Sequence, residues 1–202
     1  GTLAFTGTTT TNRATTLGSN GGGLYAHTGQ TVTHGGTISG AGGLQKVGDG
    51  ILSLTGTTSY SGGTSITGGT LRIGSGVTLG TGGLSISGGT LNATASTIFD
   101  RAMTLGAGTN VLDLNAGTTM NLNGTVSGTG GLTKRGDGSL SVVGTNSYSG
   151  GTTIEGGRIS VGVDSNLGDA NGTLTLNGGT LRTTGSFSMA RGTTLGASGG
   201  TF

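Results

Sequence analysis

The 202-residue sequence contains 50 glycines, no proline and no cysteine, and only 8% of its residues are charged, with a formal net charge of +2. The absence of cysteine excludes disulfides and thiolate chemistry, and the scattered basic residues exclude the concentrated patch that a nucleic-acid or anionic-membrane partner requires. Disordered chains usually combine weak hydrophobicity with many charges or prolines, so this composition favours an ordered protein despite its glycine content.

The predicted secondary-structure elements are short β-strands. Each is an apolar-polar-apolar triplet between glycines or small polar residues, and alternation with a period of two is typical of a half-buried strand. In chain order the clearest triplets are Leu52-Ser53-Leu54, Leu71-Arg72-Ile73, Leu84-Ser85-Ile86, Leu112-Asp113-Leu114, Leu140-Ser141-Val142, Ile159-Ser160-Val161 and Leu174-Thr175-Leu176. No segment has a helical period or approaches the ~20 apolar residues of a membrane span, so neither a helix nor membrane insertion by this segment is predicted.

An internal repeat organises the chain. The segment 38–74 returns 88 positions later as 126–162, with 23 of 37 positions identical. Beyond Leu167 the offset becomes 90, which indicates a two-residue insertion. The sequence therefore predicts one β-solenoid segment over residues 1–202, a fragment of a longer protein, with repeat units at 1–88 and 89–178 and a partial unit at 179–202.

Spacing inside the repeat predicts the size of one coil. Leu71 and Leu91 both follow Gly-Gly-Thr and lie 20 residues apart, which fits a solenoid of about ten coils of roughly 20 residues. Glycine suits the tight corners of such coils because it avoids the steric penalty of a positive φ. The 88-residue period is then interpreted as a superrepeat of about four coils.

The second copy of the repeat carries a recognisable motif. It contains, in order, Gly130-Gly131-Leu132, Lys134, Gly136-Asp137-Gly138 and Asn146-Ser147-Tyr148-Ser149-Gly150-Gly151-Thr152. The first copy matches from Gly42 to Leu71, with Thr58 in place of the usual Asn. The sequence resembles the passenger-associated transport repeat of bacterial autotransporters, the type V secreted proteins. The resemblance implies an all-β, right-handed parallel β-helix that serves as an export-competent scaffold, preceded by a signal peptide and followed by an outer-membrane barrel in the full-length protein.

Candidate catalytic and metal-binding residues are few. An enzyme on this scaffold needs carboxylates gathered on one face, but Asp49 and Asp137 occupy the same Gly-Asp-Gly position of two copies, where Asp favours a tight turn by bonding its own backbone. His27 and His34 have no neighbouring ligands in the sequence and are predicted to be exposed loop histidines. We therefore predict no catalytic residue, no metal site, no cofactor and no enzymatic activity. The remaining carboxylates are scattered: Asp100, Asp113, Asp164, Asp169 and Glu155.

Tyr60 and Tyr148 stand at equivalent positions before Ser-Gly-Gly-Thr. One interpretation is an exposed pair, four coils apart, that contacts a glycan or a protein. The favoured interpretation is that each ring closes a coil corner over adjacent glycines, with its hydroxyl bonded to a backbone group.

The resemblance implies a structural stalk of a secreted or surface-displayed passenger, an adhesin or host-interaction factor, whose repeats aid folding-coupled secretion. Its expected partners are a host cell-surface protein or glycan, or the same protein on another cell, and its expected location is extracellular or on the bacterial surface. Two alternatives stay open at this point. The chain could be the scaffold of a toxin or enzyme whose active domain lies outside this fragment, or an ice-binding solenoid, although its Thr-Thr pairs are irregularly spaced.

Overall fold

A computed structural model describes all residues, 1–202, and shows short strands that wind around one axis as a parallel β-helix. The chain makes about nine turns of about 21 residues each, which confirms the predicted fold class. Secondary structure other than strands is limited to one four-residue 3₁₀ turn, Asp164–Leu167. No helix is long and apolar enough to span a membrane.

The structure contains 24 strands of three to six residues. In chain order they are β1 (Thr2–Phe5), β2 (Thr9–Thr11), β3 (Thr15–Leu17), β4 (Gly22–Ala26), β5 (Thr31–His34), β6 (Ile38–Gly40), β7 (Leu44–Val47), β8 (Ile51–Leu54), β9 (Thr64–Ile66), β10 (Thr70–Ile73), β11 (Leu84–Ile86), β12 (Thr90–Ala93), β13 (Thr97–Phe99), β14 (Met103–Leu105), β15 (Thr109–Leu114), β16 (Thr119–Leu122), β17 (Val126–Gly128), β18 (Gly131–Arg135), β19 (Ser139–Val142), β20 (Thr152–Ile154), β21 (Arg158–Val161), β22 (Leu174–Leu176), β23 (Thr180–Thr183) and β24 (Thr193–Leu195).

These strands form three faces, and some coils lack a strand on one of them. The first face has the order β1-β4-β7-β9-β11-β14-β17, and the second has the order β2-β5-β8-β10-β12-β15-β18-β20-β22-β24. The third face consists of two separate sheets, β3-β6 and β13-β16-β19-β21-β23. Neighbouring strands pair in parallel, so each coil lies on the preceding one.

Alternation along each strand builds the core. In β10, Leu71 and Ile73 are buried and Arg72 points outward. Leu71 lies in register with Leu52 on one side and Leu91 on the other, so apolar side chains stack in columns along the axis. One cluster of 37 buried apolar residues results, and it runs through the whole coil stack.

Glycine is required where coils turn against one another. Gly69 and Gly157 occupy equivalent corners of the two copies, with φ of 56° and 59°. A Cβ at either position would collide with a backbone carbonyl of the coil below, that of Gly50 or of Gly138. Both the backbone conformation and the close approach therefore favour glycine, which explains much of the unusual composition.

The 88-residue period does not correspond to a whole number of coils. β7 lies on the first face, whereas its counterpart β18 lies on the second; β8 lies on the second face and its counterpart β19 on the third. One period therefore spans four coils plus one face, because coils of about 21 residues do not divide evenly into 88. The interpretation of the period as about four coils thus misses one face, and equivalent residues point in different directions around the axis.

The inward register can be tested with a buried leucine and its outward neighbour. Leu140 is fully buried in β19, so Leu140→Asp places an unpaired charge in the core and is expected to lower the free energy of unfolding by about 4 kcal/mol. Ser141 points outward from the same strand, so Ser141→Asp is expected to cost less than about 1 kcal/mol. Urea unfolding followed by circular dichroism measures both values. Equal losses would mean that the register is wrong.

Candidate functional site

The residues shared by the two copies of the repeat converge on a buried lysine. Lys46 in β7 is fully buried, and its Nζ donates to the carbonyl oxygens of Val47 at 3.3 Å, Gly48 at 2.6 Å and Gly68 at 3.1 Å. The ammonium group thereby ties the corner of its own coil to the corner of the next one. The three backbone acceptors match the three donors of an ammonium group.

Lys134 repeats this arrangement in the second copy. It is fully buried in β18, and its Nζ donates to the carbonyl oxygens of Arg135 at 2.6 Å, Gly136 at 2.7 Å and Gly156 at 3.3 Å. The two sites agree in every acceptor position of the repeat, although they lie on different faces. We call each lysine with its three carbonyl acceptors a lysine turn.

Burial dominates the electrostatics of both lysine turns. It lowers the pKa of Lys46 to about 8, while the nearby negative charge of Asp49 acts to raise it. Burial likewise lowers the pKa of Lys134 to about 8, with Asp113 and Asp137 acting to raise it. Neither ammonium group forms an ion pair with a carboxylate, so the backbone carbonyls are its direct partners.

Asp49 and Asp137 lie at exposed turns of the Gly-Asp-Gly segments, as the sequence predicts. Neither carboxylate accepts a hydrogen bond from the backbone of its own turn, so this part of the prediction is wrong. Each aspartate instead acts through its charge on the adjacent lysine. Sequence reasoning did not identify the lysines as buried; the signal was their inward position in the alternating pattern Leu-x-Lys of β7 and β18.

Tyr60 and Tyr148 close corners of the two copies. Both are buried, and each ring lies where a Cβ on Gly80 or Gly168 would stand. Burial rules out the exposed-pair interpretation and confirms the corner-closing one. The hydroxyl partner differs from the prediction, because each hydroxyl lies 2.6 Å from a threonine Oγ1 rather than bonding the backbone directly. That threonine, Thr64 in the first copy, donates in turn to the Leu79 carbonyl oxygen at 3.0 Å.

The asparagine of the motif links three coils. Asn146 is buried; its Oδ1 accepts from the Val126 backbone N–H at 2.7 Å, and its Nδ2 donates to the Asn166 carbonyl oxygen at 2.7 Å. Thr58 stands at this place in the first copy and accepts from the Thr78 backbone N–H at 3.1 Å. The substitution therefore keeps one link to a neighbouring coil.

The two histidines have different environments. His27 is exposed, as predicted, and its ring meets that of Tyr25 edge-on at 4.8 Å between centroids. The prediction for His34 is wrong: it is buried at the inward end of β5, 2.9 Å from the Thr15 Oγ1 through Nε2, and its Nδ1 has no partner. Burial lowers the pKa of His34, so a neutral ring fills this core position.

The remaining carboxylates are held apart by separate polar partners. Glu155 pairs with Arg135 at the surface, and Asp164 pairs with Arg191, Oδ1 to Nε, at 2.8 Å. Asp100 accepts from the Asn123 Nδ2 at 2.6 Å. His, Asp and Glu side chains do not gather in groups of three anywhere in the structure. The shared residues of the two copies form interactions that lock the corners of the coils.

Comparison with known proteins supports the repeat assignment. A family model described as the passenger-associated-transport-repeat matches residues 44–73 and 132–161, which contain both lysine turns. A segment of 61 residues, 30% of the chain, is 52% identical to the adhesin BmaC autotransporter of Brucella suis biovar 1 (strain 1330). The chain spans about 2% of the length of that relative. No solved structure matches.

The pKa values of the buried groups predict an unusual pH dependence of stability. Between pH 8 and 10.5 the unfolded chain binds more protons than the folded one, because Lys46 and Lys134 have lowered pKa values, so the free energy of unfolding rises with pH. Burial raises the pKa of Tyr60 and Tyr148 from 10.0 to about 12, so stability falls again above pH 10.

We therefore expect a stability maximum near pH 10, measured by urea unfolding in steps from pH 7 to 11.5, with a rise of a few kcal/mol, since one pKa unit corresponds to about 1.4 kcal/mol. The double variant Lys46→Met, Lys134→Met should lose the rise and keep the fall. A steady decrease from pH 7 to 10 in the unmodified chain would contradict the assignment.

The contact between ring and glycine predicts a graded set of alanine substitutions. Gly80, Gly168 and Gly29 all have positive φ, which costs an alanine about 1 kcal/mol. A Cβ at Gly80 or Gly168 also overlaps the tyrosine ring and a backbone carbonyl oxygen, that of Gly62 or of Tyr148, whereas at Gly29 it meets nothing within 4 Å. Gly80→Ala and Gly168→Ala are each expected to destabilise by about 3 kcal/mol and Gly29→Ala by about 1 kcal/mol. Equal losses in denaturant titration would mean that the close contacts of Gly80 and Gly168 with the tyrosine ring and the backbone do not matter.

Proposed function

Because this chain carries the passenger-associated transport repeats of autotransporter passengers, we propose that it forms a stiff stalk segment that projects an adhesive or host-interacting surface from the bacterial cell. The observation that carries this proposal is the second face, in which ten parallel strands stack in one sheet along the chain. At the ~4.8 Å spacing of adjacent strands, ten stacked strands form a rod on the order of 40 Å long. Such a rod acts as a spacer without any chemical site.

The contact pattern favours secretion coupled to folding. Each strand pairs with strands of the adjacent coils, so coils can fold one after another as the chain emerges. The lysine turns and Asn146 join their own coils to adjacent coils through side chains, which stabilises each of these coils as soon as its neighbour is in place. The absence of cysteine avoids disulfide formation before export. These features support a structural, non-catalytic role at the cell surface or outside the cell.

The repeat supports a modular organisation with units at 1–88 and 89–178 and a partial unit at 179–202. In the full-length protein a carboxy-terminal barrel would anchor this passenger in the outer membrane. Its partner would be a host cell-surface protein or glycan, or a copy of the same passenger on another cell. The printed name of the Brucella relative, an adhesin, supports this class of partner.

Removal of one period tests both the stalk and its modular units. Deleting residues 44–131 joins Gly43 to Leu132, whose equivalent in the first copy is Leu44, so every new coil contact is one that the repeat already contains. We expect this variant to fold and to shorten the rod by roughly 20 Å, as measured by small-angle X-ray scattering. When fused to a signal peptide and an outer-membrane barrel, it should still reach the cell surface, as measured by protease accessibility.

A matched control deletes half a period, residues 44–87, and brings unlike coil positions together. This variant should be less stable and less well displayed than the full-period deletion. Equal behaviour of the two deletions would contradict the modular units. A globular scattering profile of the intact chain would contradict the stalk.

A further inference from the structure

The third face is open between two coils. Residues 75–80 form no strand, and no backbone hydrogen bond joins them to β13 in the following coil. A groove of about 440 Å³ lies between them. Val77, Leu79 and Phe99 are buried along it, while Ile98 stands 61% exposed at its side. We call this space the coil 4–5 groove, because it lies between the fourth coil, which contains β9 and β10, and the fifth coil, which contains β11, β12 and β13.

One wall of the coil 4–5 groove is an unpaired strand edge. β13 is the edge strand of its sheet and pairs with β16 alone. The Phe99 carbonyl oxygen accepts from the Asn123 N–H at 3.0 Å, so Phe99 is directed towards β16. Because alternate residues of a parallel strand bond to opposite sides, the N–H and C=O of Ile98 point into the groove. Such an edge is a template for a further strand.

Arg101 places a positive charge at the same groove. Its guanidinium lies 4.7 Å from the centre of the Phe99 ring, and it donates a hydrogen bond to the Thr78 carbonyl oxygen. It forms no ion pair. The adjacent Asp100 is engaged by Asn123 of the next coil. The groove therefore combines apolar walls, unpaired strand N–H and C=O groups and a cation that forms no ion pair, while the Asp100 carboxylate that also lines it is hydrogen-bonded to Asn123.

In the next copy of the repeat, the arginine equivalent to Arg101 pairs with a carboxylate and no groove is present. Arg191 follows Arg101 by 90 residues, the offset of this part of the repeat. Its side chain is fully buried and binds both carboxylate oxygens of Asp164, through Nε at 2.8 Å and Nη2 at 3.1 Å. Asp164 belongs to the 3₁₀ turn, and its counterpart between Gly74 and Gly80 is Gly76. No cavity lies at the 3₁₀ turn.

We propose that the coil 4–5 groove binds an extended peptide segment carrying an Asp or Glu side chain, which adds a strand to β13 and pairs its carboxylate with Arg101. The internal comparison supports the carboxylate, because Asp164 supplies that group to Arg191. The unpaired edge and the apolar walls favour a peptide over a sugar, since strand addition needs backbone partners on the ligand. The proposal rests on the proposed surface role and names a ligand class for it.

Binding can be measured on the intact 202-residue chain with a fluorescein-labelled peptide, Val-Thr-Asp-Val-Thr, and with a version in which Asn replaces Asp. Fluorescence polarisation should show at least tenfold weaker binding of the Asn peptide. Arg101→Gln should weaken the Asp peptide to the same extent, and the matched control Arg182→Gln, at an exposed position of β23, should leave binding unchanged. Equal affinity of the two peptides, or no effect of Arg101→Gln, would overturn the proposal.

Strand addition has its own test. The Ile98 amide hydrogen should become protected from exchange when the Asp peptide binds, and Ile98→Pro, which removes that donor at an edge where proline is tolerated, should weaken binding about tenfold. Circular dichroism of each variant separates a folding defect from a binding defect. Competition by sodium acetate at the same concentration as the peptide would show a carboxylate site without strand addition and would overturn the peptide assignment. These measurements use purified chain, so they are independent of the display and scattering tests of the stalk.

Discussion

The structure depends on the parallel hydrogen-bonded ladder between successive coils. Three-residue strands such as β9 and β11 are too short to be stable alone, but each is held by a strand in the coil below and another in the coil above. In-register pairing then places like residues over like, as in the column Leu52, Leu71 and Leu91. The same constraint makes corners critical, because any backbone group that turns away from the ladder needs another partner.

The two lysine turns provide hydrogen-bond partners for backbone groups at the corners. Carbonyl oxygens of Gly48 and Gly68 lie outside the strand ladder and are bonded by a buried ammonium group. A buried cation is costly, and the lowered pKa of Lys46, about 8, reflects that cost. The gain is that one side chain joins two successive corners. Tyr60 with Thr64, and Asn146 with its backbone partners, join neighbouring coils by related means.

The phase of the repeat shapes the surface of the rod. Because one period spans four coils plus one face, the lysine turns lie on different faces. Equivalent side chains therefore do not form a single row along one side, and the surface changes with direction and height. Arg101 lies beside an open groove without an ion pair, whereas Arg191 at the equivalent position pairs with Asp164, so one repeat position has two different environments.

Much of the fold can be predicted from the sequence alone, because its determinants are local. Three local features determined a β-solenoid and its inward positions. They are the alternation in Leu71-Arg72-Ile73, the glycines at corners and the 20-residue spacing of Leu71 and Leu91. The corner role of Tyr60 could also be predicted from its position beside glycines.

What only the tertiary structure decided depends on contacts between residues a coil or more apart. The burial of Lys46 and His34 contradicts the usual exposure of such residues and is settled by carbonyls and a threonine from other parts of the chain. The face on which each repeat lies and the open groove at Arg101 likewise depend on the number of residues in each coil. The period of 88 residues does not specify that number.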